Sequence, residues 1–288
     1  MPFASVIVPV KDGFDLLVGC VRALLDQDYP ADRFEVIVAD NGSAASPATV
    51  LPKDPRLAIV HESKPGSYAA RNAALAVARG EIVAFTDADC VPDRGWLRVS
   101  AQYLSTHPTV AMIGGRVALT YQGGVPRNGP EWYEFVEGFR QQKYLASGFA
   151  VTANMVTRRS QFDRVGLFDD SLLSGGDAEW GRRVRSAGGR QAYVDTAVIE
   201  HPARDTWNEV KIKTRRTTLG IVRRTTRRRL VRLLAGQMLR SLTLPISVAR
   251  RRDLPSWTAK RLYLMTKWRV DGVVAAGLMA GLQQTRKK

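Results

Sequence analysis

Cysteine and histidine are scarce in this chain of 288 residues: Cys20 and Cys90 are the only cysteines, and there are 3 histidines. With no CxxC pair and no histidines at zinc-ligand spacing, a disulfide scaffold and a structural zinc module are excluded. The two thiols read as reduced cysteines of a cytosolic protein. Long apolar runs are missing too. The opening MPFASVIVPVKDG has no basic segment ahead of its short apolar run, so neither a signal peptide nor a membrane span is expected there. Residues 233–249 are interrupted by Arg240 and Pro245, and residues 270–282 are too few to cross a bilayer comfortably. Acid nearly vanishes from the C-terminal portion. Residues 207–288 hold 21 Lys and Arg against 3 Asp and Glu, a net +18, whereas residues 1–206 hold 22 against 24, a net −2. The remaining composition, 45% hydrophobic and 24% charged, excludes wholesale disorder. A boundary is therefore expected near residues 205–207, with a catalytic domain over 1–206 and a basic, helical region over 207–288.

What is present in residues 1–206 is alternation. ASVIVPV (4–10), FEVIVAD (34–40), LAIVHE and EIVAFTD read as strands, and the segments between them carry helical patterns. The first helix, from Phe14 to Leu25, has apolar residues at Leu17, Val21, Leu24 and Leu25; GSYAARNAALAVARG is a second, with Ser67 as N-cap. Residues 131–142 are expected to form one helix. Strands alternating with helices of this length predict an α/β fold with a mostly parallel sheet, in which ligands bind beyond the carboxyl ends of the strands. Those ends read Pro9-Val10-Lys11-Asp12, Asp40-Asn41-Gly42-Ser43 and Thr86-Asp87-Ala88-Asp89.

Each candidate residue has an ordinary and a functional reading. Asp87 and Asp89 are two apart, so in an extended chain both carboxylates face one way and suit a hard cation such as Mg²⁺ or Mn²⁺. Spacing alone decides nothing, because Asp26 and Asp28 repeat it at an ordinary helix end. Asp40 either closes a strand as a turn residue or accepts from a nucleobase or sugar. Arg71 and Asn72, in the first turns of a helix, are either solvated or hold phosphate or base. Asp177 and Glu179, behind Gly175-Gly176 in LSGGDAEWGRR, either cap a helix or include a general base. His201 ends a strand, where it is exposed or is a third metal ligand.

Taken together, SVIVPVKDG, EVIVADNGS, GSYAARNAALAVARGEIVAFTDADCVPDRGWL and GLFDDSLLSGGDAEWGRRVRSAGG resemble the family 2 glycosyltransferases, inverting enzymes of the GT-A fold. The resemblance implies a Rossmann-like sandwich that binds a nucleotide-diphosphate sugar, with a UDP-sugar favoured. Pro9, Val10, Asp40, Arg71, Asp87 and Ala88 would then line the nucleotide. Asp89, with Asp87 and His201, would hold Mn²⁺ or Mg²⁺. Asp177 falls where the family keeps its catalytic base, and Gly176, Glu179 and Trp180 fall on the acceptor side. Gly176 stands where many members carry Glu, and the QxxRW pattern of processive synthases is missing, so a non-processive hexosyl- or N-acetylhexosaminyl-transferase of polysaccharide biosynthesis is implied. Two other readings compete. A sugar-phosphate nucleotidyltransferase would want a glycine-rich loop after the first strand, which PVKDGFDLL does not supply. A catalytically inactive membrane- or nucleic-acid-binding protein would not need Asp40, Asp89 and Asp177.

The basic region concentrates Arg223, Arg224, Arg227, Arg228, Arg229 and Arg232 in one helix-compatible stretch with Leu219, Val222, Leu230, Leu233 and Leu234. A basic amphipathic helix suits an anionic membrane surface. No zinc finger, basic zipper or aromatic platform points to nucleic acid. Peripheral attachment to the inner face of the cell membrane, where a glycan or lipid-linked acceptor is presented, is the expected setting.

Overall fold

The β-branched runs 4–10 and 34–40 become neighbouring strands because their alternate residues supply two different hydrophobic layers. In the computed structural model, which describes residues 1–284, β1 (Ala4–Val10), β2 (Phe34–Asp40), β3 (Leu57–His61) and β4 (Ile82–Phe85) pair in parallel in the order β3-β2-β1-β4. The sheet continues through β7 (Met155–Arg158), β6 (Val110–Thr120), β8 (Arg190–Pro202) and β5 (Val91–Pro92). In this half β7 runs antiparallel to both β4 and β6, and β5 antiparallel to β8.

Val6, Val8, Val36, Val38 and Ala84 point into one core, shared with α1 (Phe14–Leu25) and α3 (Trp96–Thr106). Ile7, Ile37, Ala39, Val83 and Phe85 point into the other, shared with α2 (Ser67–Val77), α6 (Ser160–Val165) and α7 (Gly176–Ser186). Period-two side chains thus build a three-layer sandwich. The parallel register aligns Val10 with Asp40 and Asp40 with His61, which brings the carboxyl ends of three strands into one row. Ser67, expected as an N-cap, is the first helical residue behind Gly66.

By contact the chain divides into two compact units. The first, Met1–Ala118 with Phe139–Pro202, is the sandwich, and it also holds the short α5 (Gln141–Ala146). The second is Leu119–Gly138 with the chain from Ala203 on, and it is helical: α4 (Gly129–Glu137), α8 (Trp207–Arg223), α9 (Arg227–Ala249) and α10 (Trp257–Gln284). Asn128–Glu131 and Thr206–Glu209 form reciprocal capping boxes that start α4 and α8. Its own core gathers Val136, Leu244, Val248, Leu254, Ala259 and Tyr263. The single helix expected over 131–142 is instead α4 and α5, broken at Gly138 and at Phe139, whose φ is +30°. Among the described residues no helix is long and apolar enough to cross a membrane.

Candidate active site

The sandwich unit carries its acidic strand ends on loops that are tied to one another. Asp12, in left-handed backbone at φ +56°, receives the Ala44 N–H at 2.9 Å, and its own N–H donates to Ser43 Oγ at 2.8 Å. Asn41 donates to the carbonyls of Glu62 and Lys64 at 3.0 and 2.8 Å and accepts from the Gly66 N–H at 2.7 Å. This fixes the approach to α2 against the ends of β2 and β3. Asp40 lies buried in this frame, accepting from the Ser43 N–H at 3.0 Å and from His61 Nδ1 at 3.2 Å. Burial alone would raise its pKa; the Ser43 and His61 donors overcome that and hold it below the usual carboxylate value.

Beyond β4 the pair Asp87 and Asp89 divides. Asp87 meets Arg71, whose Nη2 lies 2.5 Å from its carboxylate. Arg71 is buried, and its Nε–H has no acceptor among the described residues, a donor left over for an anion. Asp89 faces His201 instead, Oδ2 to Nε2 at 3.4 Å. The His201 ring is buried, and its Nδ1 lies 2.7 Å from the Pro202 carbonyl, which can only accept. Nδ1 therefore carries the proton, and Nε2 turns toward Asp89. The ring nitrogen and the carboxylate thus face each other, a pairing that a shared divalent cation suits. Phe139 packs on the ring at a centroid distance of 4.5 Å. Cys90, fully buried, places Sγ in the same cluster, with all three ligand atoms within 4.8 Å of one another. The Cys20 and Cys90 thiols are pushed above their ordinary pKa by burial and by the facing charges of Asp87 and Asp89. Burial is the larger cause and the two carboxylates add to it; the oxygen and imidazole donors of the cluster fit a divalent cation.

A second carboxylate centre sits at the start of α7. Gly175, at φ +78°, turns the chain into the helix, so Asp177 is not its cap. Asp177 accepts from the Ala178 N–H at 2.8 Å and from the Tyr68 hydroxyl at 3.2 Å. Gly176 allows this approach of α7 to α2: a Cβ there would lie 2.8 Å from the Tyr68 ring. Burial raises the pKa of Asp177, and the nearby charge of Asp87 adds to this, against the lowering influence of Ala178, Arg71 and Tyr68. Arg71 thus pairs with Asp87 on one side and acts on Asp177 on the other.

The expected residues do not all meet here. Val10 and Ala88 lie along the strand ends, Val10 opposite Asp40 and Ala88 partly buried, with Pro9 beside Ala39. Trp180, expected on the acceptor side, is fully buried, stacks on Phe162 at 4.5 Å and donates to the Gly166 carbonyl at 2.9 Å; it is a core residue. The Glu179 carboxylate is gripped by Arg183 at 2.7 and 2.9 Å, one turn along α7. Asn72 brackets the Phe168 backbone, donating at 2.9 Å and accepting at 3.1 Å. Sequence reasoning passed over Tyr68, His61 and Phe139. His61 had a signal, its place at a strand end in line with Asp40; Tyr68 and Phe139 had none.

Comparison with known proteins identifies the family and the fold. The family model for glycosyl transferase family 2 matches residues 5–166. Glycosyltransferase AglE of Haloferax volcanii is 32% identical over 210 residues, which span 71% of this chain and 68% of that relative. A pre-mycofactocin glycosyltransferase of Mycobacterium tuberculosis is 31% identical over 214 residues, 69% of this chain but 43% of its own length. Among solved structures, mannosyltransferase PcManGT from Pyrobaculum calidifontis, in complex with GDP-Man and Mn²⁺, matches with a TM-score of 0.59 at 20% identity, covering 99% of this chain and 75% of that one. GalNAc-T7, with UDP, GalNAc and Mn²⁺, matches at 0.56 and 15% identity, over 71% of this chain and 44% of that one. These two share the fold. With the family model spanning more than half of its length, the chain belongs to glycosyl transferase family 2 and is a glycosyltransferase of the GT-A fold.

Proposed function

We propose that the chain transfers a sugar from a nucleoside-diphosphate donor to an acceptor hydroxyl with inversion of the anomeric carbon, one residue at a time. The carrying observation is the separation of two centres: a cation-seeking Asp89–His201 pair, and Asp177, a carboxylate of raised pKa reached through Arg71 and Tyr68. Asp40, at the end of β2, accepts from the base or ribose, and Arg71 offers its spare N–H to the diphosphate. Asp89 and His201 would hold Mn²⁺ or Mg²⁺, which as a Lewis acid stabilises the negative charge of the departing nucleoside diphosphate. Asp177 takes the proton of the acceptor hydroxyl as its oxygen attacks opposite the leaving group. A base whose pKa is raised has more affinity for that proton than an exposed aspartate.

The setting is a membrane surface. On α9 the exposed residues Val231, Met238, Leu239, Leu242 and Ile246 recur at helical spacing, and Arg228, Arg232 and Arg240 are exposed on the same helix. Trp257 and Leu242 are each 77% exposed. Apolar side chains standing free among arginines suit the interface of an anionic cytosolic leaflet, where a lipid-linked or glycan acceptor is presented.

Release of nucleoside diphosphate from a panel of UDP- and GDP-sugars with Mn²⁺ or Mg²⁺, together with donor binding, tests the reading. Asp177→Asn should bind donor as the wild type does and release none in transfer to acceptor. Asp89→Ala should lose the part of donor binding that EDTA removes from the wild type. Wild-type transfer by Asp177→Asn overturns the assignment.

A further inference from the structure

We propose that the groove between α8 and α10 is a binding site for one hydrocarbon chain of an anionic lipid, whose phosphate lies between Arg215 and Arg269. The inference deepens the membrane reading above and rests on it for the source of the lipid. The groove encloses about 560 Å³ and is walled by Leu219 and Val222 from α8 and by Val273, Ala276 and Ala280 from α10. That volume lies within the ~300–1,000 Å³ of small-molecule sites.

The two helices cannot close the groove by moving together, because they already touch. A Cβ at Gly277 would lie 2.7 Å from Thr218 Cγ2, and one at Gly281 would lie 2.5 Å from Val222 Cγ1. Nor do their own side chains fill it. Ala276 and Ala280 are exposed, and a Cβ built at Gly272 meets nothing within 4 Å. The lining of α10 runs from Arg269 to Gln284, roughly 22 Å at ~1.5 Å per residue, longer than the ~15 Å depth of one leaflet of a ~30 Å hydrocarbon core.

Charge selects the occupant. The polar groups on the wall include Arg215 and Arg269, and the Arg269 guanidinium is held over the Trp207 ring at 4.0 Å. An apolar helix lodged here would cover the exposed Arg215 and Arg269 without offering either an anion. A second copy of this chain would bring another surface of the region that carries +18 over residues 207–288. An anionic amphiphile matches the apolar wall and the arginines at once.

The test titrates the full chain with dodecyl phosphate, kept below its micelle concentration, and counts bound molecules by native mass spectrometry and calorimetry. Inorganic phosphate and dodecyl maltoside are the controls for headgroup and chain alone. One molecule should bind saturably, and both controls should bind at least tenfold more weakly. Gly272→Leu with Ala276→Leu, which fills the groove with good helix formers, should weaken dodecyl phosphate at least tenfold. Arg215→Gln with Arg269→Gln should erase the preference over dodecyl maltoside. The filled variant should still sediment with anionic vesicles, because the α9 stripe is untouched. Equal affinity in the filled variant overturns the site, as does a wild-type dimer that the same substitutions dissociate. Saturable binding without vesicle sedimentation leaves the site standing and removes the membrane reading; sedimentation without saturable binding does the reverse.

Discussion

The carboxylate of Asp177 receives two hydrogen bonds, yet burial outweighs them and its pKa stands above the ordinary value. A group whose folded pKa is raised favours the fold when protonated, and that contribution is lost as pH rises through the folded value. Asp177→Asn, which mimics the protonated acid, should therefore melt higher than the wild type at pH 8. The difference should shrink as pH falls through the carboxylate range, read by calorimetry across a pH series. Tyr68→Phe removes a donor to the ionised form, so the acid limb of kcat/KM should move to higher pH. None of this was legible in GGDAEWGRR, because Tyr68 lies 109 residues upstream. Trp180 was partly legible: it and Val184 stand four apart on the buried side of α7, the spacing of a core face rather than of an acceptor contact.

At the scale of the element, α4 is organised by one acid. Glu134 is fully buried, with Arg204 at 2.8 Å and Lys213 at 3.1 Å, so it ties α4 to the entry and body of α8. Burial lowers the pKa of Lys213 more than Glu134 raises it. Glu134→Gln keeps the shape and leaves two cations facing a neutral amide. It should cost about 3 kcal/mol, the low end for breaking a buried pair, because both cations retain some water. A denaturant titration of the two forms measures it. The longer strands and helices of residues 1–106 were readable because they follow a period of 2 or 3.6, whereas β5, two residues long, left no pattern to read. The antiparallel β7 was not, since four residues, Met155–Arg158, carry too little pattern to show direction. The break at Phe139 had one signal, Gly138 just before it, which the helical pattern on both sides outweighed.

Over the whole molecule, charge was the most legible property and the membership of the helical unit the least. The step from −2 to +18 is visible in the composition, but Leu119–Gly138 joins the helical unit with no such mark. If attachment combines apolar insertion with charge, the chain should sediment with anionic and not neutral vesicles. Raising salt toward 1 M, where screening acts within ~3 Å, should weaken it. Leu239→Asp with Leu242→Asp should abolish it at any salt; retention by that variant would count against the α9 surface.

One consequence of the sheet order concerns the chain as it is being made. β4 pairs on one side with β1, 78 residues earlier at Ala4 and Ile82, but its other edge waits for β7, where Phe85 meets Met155 70 residues later. At ~5–20 residues per second of synthesis, that edge stays bare for roughly 4 to 14 seconds. During this interval β4, four fully apolar residues, has one edge without a partner, and His201 has not yet been made. If the parallel half folds as it emerges, it does so with that edge unpaired, and its dependence on chaperones should track the rate of translation between residues 85 and 155.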